Sequence, residues 1–344
     1  MPATLAADSF RPYFSYVAIG GASCLGLAWP GAAPVVLGPL LLVGLVLLGL
    51  AHGACDQFVL PATGQVRGGR QAYLLKFVLG YLGLAAAAGL AWWCWPGAAV
   101  GAFLLLTVWH WGSADAPAQA GQGTLWLLHS VLRGALLFAV PLWWWPAEVQ
   151  RSVNGLLAFA GAQPLAAAGF AGLARGLGPL VGLGHLALWG YYARQRSPRR
   201  WLTDACEVAL LTSLLVALPP LLALGVYFVF WHSLQHILRL NRVFGFVALA
   251  RPGQALAWPT LGREIAFFIR RALPILVVSL ALPLGLYWLV PPQLAALDKL
   301  LRIAVLTAAV LTLPHALLVS VALDSAVWRG KPARPKPARP RQPA

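Results

Sequence analysis

Acidic residues are nearly missing from this chain. Nine Asp and Glu occur among 344 residues, and charged residues of all kinds make up 10%, where a soluble globular domain carries about 25%. Such a composition excludes a soluble Rossmann enzyme and a nucleic-acid-binding domain, despite a formal charge of +16. Cysteine is sparse as well. Cys24, Cys55, Cys94 and Cys206 lie in or beside apolar segments without CxxC spacing, which signals neither a thiolate metal site nor the disulfide framework of a secreted scaffold. Four free thiols are expected. A leader pattern is also lacking, because Pro2 to Arg11 is largely polar and the first apolar run begins near Tyr13; the first helix is expected to stay in the mature protein.

Hydrophobic residues supply 60% of the chain. The runs Phe77 to Trp95, Ala98 to Ala114 and Ile303 to Leu323 contain no Asp, Glu, Lys or Arg and are long enough to cross about 30 Å of hydrocarbon as helices. The fold class expected is therefore all-α, a polytopic bundle embedded in a lipid bilayer. Arginine-rich connections face the cytoplasm, and four are evident: Arg67 to Lys76, Arg194 to Arg200, Arg239 to Arg271, and the tail from Arg329. With the N-terminus inside, spans are expected at about 13 to 29, 34 to 53, 77 to 95, 98 to 115, 125 to 145, 178 to 193, 205 to 218, 221 to 238, 273 to 290 and 299 to 323. That makes ten, with eight or nine as the lower count, and leaves both termini cytoplasmic. The Ala/Gly-rich stretch Asn154 to Gly176, interrupted by Gln163 and Pro164, reads as re-entrant or interfacial, since a further crossing would put the next arginine loop on the wrong side. Pro219 and Pro220 break the pair of helices around them. Residues 1–328 form the membrane domain, and 329–344, with KPARP written twice, form a disordered basic tail that cannot bury enough surface to fold.

All seven histidines lie in apolar segments: His52, His110, His129, His185, His232, His236 and His315. Ionisable groups at such depth are costly and tend to face a bundle interior. On the topology above, His52, His110, His232, His236 and His315 reach one level of one leaflet from four helices, as a metal site requires. His232 and His236 are spaced i, i+4, which stacks two imidazoles on one helical face. Asp56 follows His52 by four residues and Asp115 follows His110 by five. Carboxylates near a ligating imidazole commonly accept its second N–H, and here they would also offset the ion's charge. An imidazole set without thiolates suits iron, copper, nickel or zinc.

The blocks LGLAHGACDQFVLP (48–61), TVWHWGSAD (107–115), YFVFWHSLQHILR (227–239) and TLPHALLVSVALD (312–324) together resemble the Brp/Blh family of membrane enzymes that cleave β-carotene to retinal. The chain departs from many relatives in carrying Trp111 where Phe is expected. The resemblance implies an iron(II) ion held by four histidines, matching His52, His110, His232 and His236, which are also the catalytic residues. It further implies dioxygen-dependent cleavage at the central 15,15′ double bond of β-carotene or a related carotenoid, in a bacterial-type inner membrane. His315 falls in a family block and is expected beside the ligands or in the pocket wall, with Asp56 and Asp115 outside the ligand set. His129 and His185 match no block and are expected to be structural.

A polyene substrate needs an apolar tunnel. Trp109, Trp111, Phe228, Phe230 and Trp231 stand next to the expected ligands and are the candidates to line it, although interfacial belts account for many membrane tryptophans. Two other classes fit some of the features: a bis-histidine haem electron carrier and a transporter, the latter usually marked by inverted repeats and charges near the midplane. The one deep charge is Arg133. Whether retinal passes to a rhodopsin is left open.

Overall fold

The computed structural model describes residues 13–66, 69–116, 123–246, 258–289 and 296–324. All regular structure among them is helical. α1 (Tyr13–Ala28) is followed by α2 (Ala33–Gly44), which runs through a π turn (Leu45–Leu50) into the short α3 (Ala51–Gly53). A 3₁₀ turn (Asp56–Phe58) and α4 (Val59–Ala62) end that arm. Next come α5 (Arg70–Cys94), α6 (Pro96–Asp115), α7 (Thr124–Trp144), α8 (Pro146–Phe159), α9 (Ala167–Arg194) and α10 (Pro198–Ala217). α11 (Pro220–Tyr227) passes through a second π turn (Phe228–Ser233) into α12 (Leu234–Val243). α13 (Trp258–Leu289) and α14 (Ala296–Val319), the latter closing in a third π turn (Ser320–Asp324), complete the described chain.

Proline opens α6, α8, α10 and α11, a position where its missing N–H removes nothing from the helix and its fixed φ favours the first turn. The break at Pro219 and Pro220 is where the sequence places it. The Ala/Gly-rich stretch divides between the end of α8 and the start of α9, so α9 begins at Ala167 rather than near residue 178. The basic tail lies outside the described residues.

The surface is apolar. Trp93 and Trp288 are 86% and 83% exposed, and Val35, Leu105, Leu180 and Val278 also point outward, as lipid-facing side chains do. Six helical segments among the described residues are long and apolar enough to cross a membrane: Ala33–Ala62, Arg70–Cys94, Pro96–Asp115, Thr124–Trp144, Pro220–Val243 and Leu306–Asp324. The chain is thus a polytopic all-α protein of integral membrane type. Of the ten spans expected, the other four also fall on helices, α1, α9, α10 and α13.

The two largest apolar cores among the described residues adjoin at Leu41 and Phe230. In one, Ile19 and Ala22 of α1, Leu136 and Leu137 of α7, Leu211 and Leu214 of α10, and Val226 and Tyr227 of α11 pack together. In the other, Leu48, Ala51 and Val59 meet Val229, Ile237 and Leu240 on one side and Phe268, Ala272 and Leu276 of α13 on the other. Lipid tails are as apolar as leucine, so burial alone does little to hold such helices together; close backbone approach and polar contacts matter more. α6 and α7 show the first. A Cβ on Gly112 would overlap the Ser130 carbonyl, and one on Gly134 the Val108 carbonyl.

Candidate metal centre

The clustered histidines arrive on four separate arms. His52 sits on α3 just after the first π turn, His232 lies inside the second, and His236 is on α12 directly after it. His110 is in the last turns of α6, and His315 follows Pro314 within α14, ahead of the third π turn. A π turn carries one extra residue and re-aims the side chains after it, and such turns concentrate at functional sites. Three of the four arms that deliver these histidines contain one.

The five rings meet in one place. The ring of His52 lies 4.8 Å from that of His315, 5.5 Å from His236 and 5.7 Å from His232. His110 lies 5.0 Å from His232, 4.9 Å from His315 and 6.5 Å from His236, and His236 is 5.3 Å from His315. The rings of His232 and His236 are parallel within 10° at 6.2 Å. His52, His110 and His315 each offer a ligand atom within 4.8 Å of the others. An ion about 2.1 Å from each of three nitrogens needs those atoms no more than about 3.6 Å apart, so the rings would draw together to seat one.

The donor atoms fit a metal. Both ring nitrogens of His110, His232 and His236, and Nε2 of His315, are buried without a hydrogen-bond partner. A buried polar atom left unpaired costs about 1–3 kcal/mol, and so many in one place call for a ligand. His52 donates Nδ1–H to the Gly49 carbonyl at 2.5 Å, which leaves Nε2 as its lone-pair nitrogen.

The carboxylates pair differently from what their spacing suggests. Asp56 does not reach back to His52. The chain leaves helical geometry after Gly53, and Asp56 instead accepts from His315 Nδ1 at 2.8 and 3.0 Å and from the Tyr81 hydroxyl at 3.0 Å. Asp115 accepts from the Tyr227 hydroxyl at 2.7 Å, more than a helical turn beyond His110. Arg239, three residues after His236, pairs with Asp324 at 2.5 Å and ties α12 to the end of α14.

Among the aromatic candidates, Trp111 stands 5.8 Å from His232 and 5.7 Å from Phe228, and Phe228 is 5.6 Å from His52. Phe230 is half-buried between the two cores. Trp231 packs on Tyr16 at 5.5 Å, and Trp109 packs on Trp126 at 5.9 Å while donating to Ser320 Oγ. Sequence reasoning missed Tyr227, tilted against Trp111 at 5.2 Å, and Phe138, stacked on it at 6.2 Å; the YF pair ahead of the HxxxH was the available signal for Tyr227.

His129 and His185 lie elsewhere, in a second buried polar group. There Arg133 binds Asp204 at 2.6 Å and Glu207 at 2.5 Å, His129 pairs with the Tyr192 hydroxyl at 2.6 Å, and Trp189 donates to Asp204 at 2.7 Å. His185 lies against the Trp189 ring.

A family described as beta-carotene 15,15′-dioxygenase matches residues 43–322. The chain belongs to that family. The matched stretch holds all five clustered histidines. Among curated relatives, the chain is 30% identical over 318 residues to a protein named probable beta-carotene 15,15′-dioxygenase Blh from Halobacterium salinarum, covering 89% of this chain and 90% of that one. It is 26% identical over 246 residues to a Halobacterium salinarum protein named probable beta-carotene 15,15′-dioxygenase Brp, covering 67% and 66% of the two. No solved structure matches the chain. The family assignment accounts for a carotenoid dioxygenase with membrane helices and a buried histidine group able to hold a metal.

Proposed function

We propose that this chain is an iron(II)-dependent dioxygenase that splits β-carotene, or a related carotenoid, at the central 15,15′ double bond to give retinal. The observation that carries this reading is the group of buried imidazoles with unpartnered nitrogens inside the stretch that matches the family. His52, His110, His232 and His236 would hold the ion. Bound there, iron(II) would supply the activation of dioxygen that an unactivated alkene needs, since no protein side chain attacks such a bond.

The protein's own part is to hold and exclude. Phe228 and Trp111 flank the histidines closely enough to support a flat polyene, and Phe230, Trp231 and Trp109 are the further candidates for the pocket. Water is kept away by the apolar cores on both sides, and the histidines themselves are between 1% and 7% exposed. Asp56 and Asp115 act outside the ligand set, through His315 and Tyr227.

The membrane arrangement consistent with this is ten crossings by α1, the α2–α3 arm, α5, α6, α7, α9, α10, the α11–α12 arm, α13 and α14. Arginine loops then face the cytoplasm of a bacterial-type inner membrane, together with both termini. His52, His110, His232, His236 and His315 all come out at the cytoplasmic level on this arrangement, in keeping with their ring-to-ring distances. A haem carrier would need two facing imidazoles rather than five from four arms.

Expression in a host that accumulates β-carotene, followed by chromatography of the pigments, tests the reading. Loss of orange colour with retinal appearing is the expected result. Intact β-carotene beside well-expressed protein and supplied iron would overturn it.

A further inference from the structure

We propose that His315 is itself a metal ligand, binding through Nε2, with Asp56 fixing its ring and Tyr81 holding Asp56. The proposal rests on the iron-centre reading and adds a fifth imidazole to it. Three observations carry it. His315 Nε2 is buried without a partner. Its opposite nitrogen is committed to a carboxylate at 2.8 Å, the arrangement by which a ligating imidazole is held in one tautomer and made more basic. And it belongs to the tight group of three with His52 and His110, while its ring is also 5.3 Å from that of His236.

Charge points the same way. Five neutral imidazoles leave a divalent ion's charge uncompensated in a dry interior, where isolated charge is expensive. Asp56 is 2% exposed and is the carboxylate that touches a ring of the cluster among the described residues, so its negative charge would offset that of an ion held by His315. Tyr81 on α5 donates to Asp56 and keeps that carboxylate turned toward α14.

The test is anaerobic titration of the purified full-length protein with iron(II), and with cobalt(II) as a coloured probe of coordination number. His315→Ala is expected to bind iron at least tenfold more weakly and to intensify and shift the cobalt absorption bands, because a lower-coordinate cobalt site absorbs more strongly. Added imidazole is expected to restore the wild-type bands in that variant, which a merely structural histidine would not allow. Asp56→Asn is expected to weaken binding about 10- to 100-fold and provides the same readout if His315→Ala does not fold. Wild-type iron affinity and unchanged cobalt bands in both variants would overturn the assignment and leave the dioxygenase reading standing. Failure of the wild-type protein to take up either metal would overturn both.

Discussion

At the residue scale the histidines divide into two populations by what surrounds them. The rings of the cluster face one another, whereas His129 is bonded to Tyr192 and lies beside Asp204, and His185, whose ring nitrogens are also unpartnered, rests on Trp189 within the Arg133 group with no second imidazole of the cluster near it. Replacing His52, His110, His232 or His236 with Ala is therefore expected to abolish retinal formation and lower bound iron by more than tenfold. His185→Ala should leave both near wild type. Elemental analysis of the purified variants alongside pigment chromatography checks this; full iron occupancy in all four cluster variants would remove them from the ligand set. The candidate ligands were legible in the sequence because histidine at membrane depth is costly without a purpose. The partner of Asp56 was not, since a contact across 259 residues has no local signature.

At the element scale the site depends on how closely α6 and α7 approach. Gly112 and Gly134 let the two backbones touch, and Gly112 is two residues after His110. Gly112→Ala would force α6 outward and carry His110 away from the other four rings. Overpacking of this kind costs about 1–3 kcal/mol. The expected outcome is a lowered thermal midpoint in detergent together with reduced iron content, with Gly97→Ala, which meets nothing within 4 Å, as the unaffected comparison. Unchanged stability and iron content in Gly112→Ala would mean that α6 has room to spare. Helix positions were largely readable, with most ends close to the expected ones. The π turns were not, because an extra residue in a turn is decided by which neighbours the following side chains must meet: Phe228, for example, packs where a Cβ on Gly49 would stand, 2.9 Å from its Cε1.

At the scale of the whole molecule, the topology we propose would bring the four arms to one level of the bilayer. If arginine loops face the cytoplasm, then Gln65→Cys and Ser197→Cys, in a background with the four native cysteines replaced, should be shielded in intact cells from an impermeant thiol reagent. Pro96→Cys, between α5 and α6, should be labelled. Labelling at 65 with protection at 96 would invert the orientation. Labelling at 65 with protection at 197 would break the shared level of the crossings, and the count of ten would fall with it.

Composition and periodicity alone determined that this is an all-α membrane protein, because long uncharged runs have no other stable home than lipid and must satisfy their backbone internally. Its histidine blocks, read together, pointed to the family. Tertiary structure decided which atoms face one another: that Asp56 serves His315, that Asp115 serves Tyr227, and that His315 stands within the ring of imidazoles. Hydropathy and charge act along the chain and across the bilayer, so they set depth and direction. They carry nothing about the rotation of each helix around its axis, which the packing of glycine, proline and aromatic contacts between arms settles.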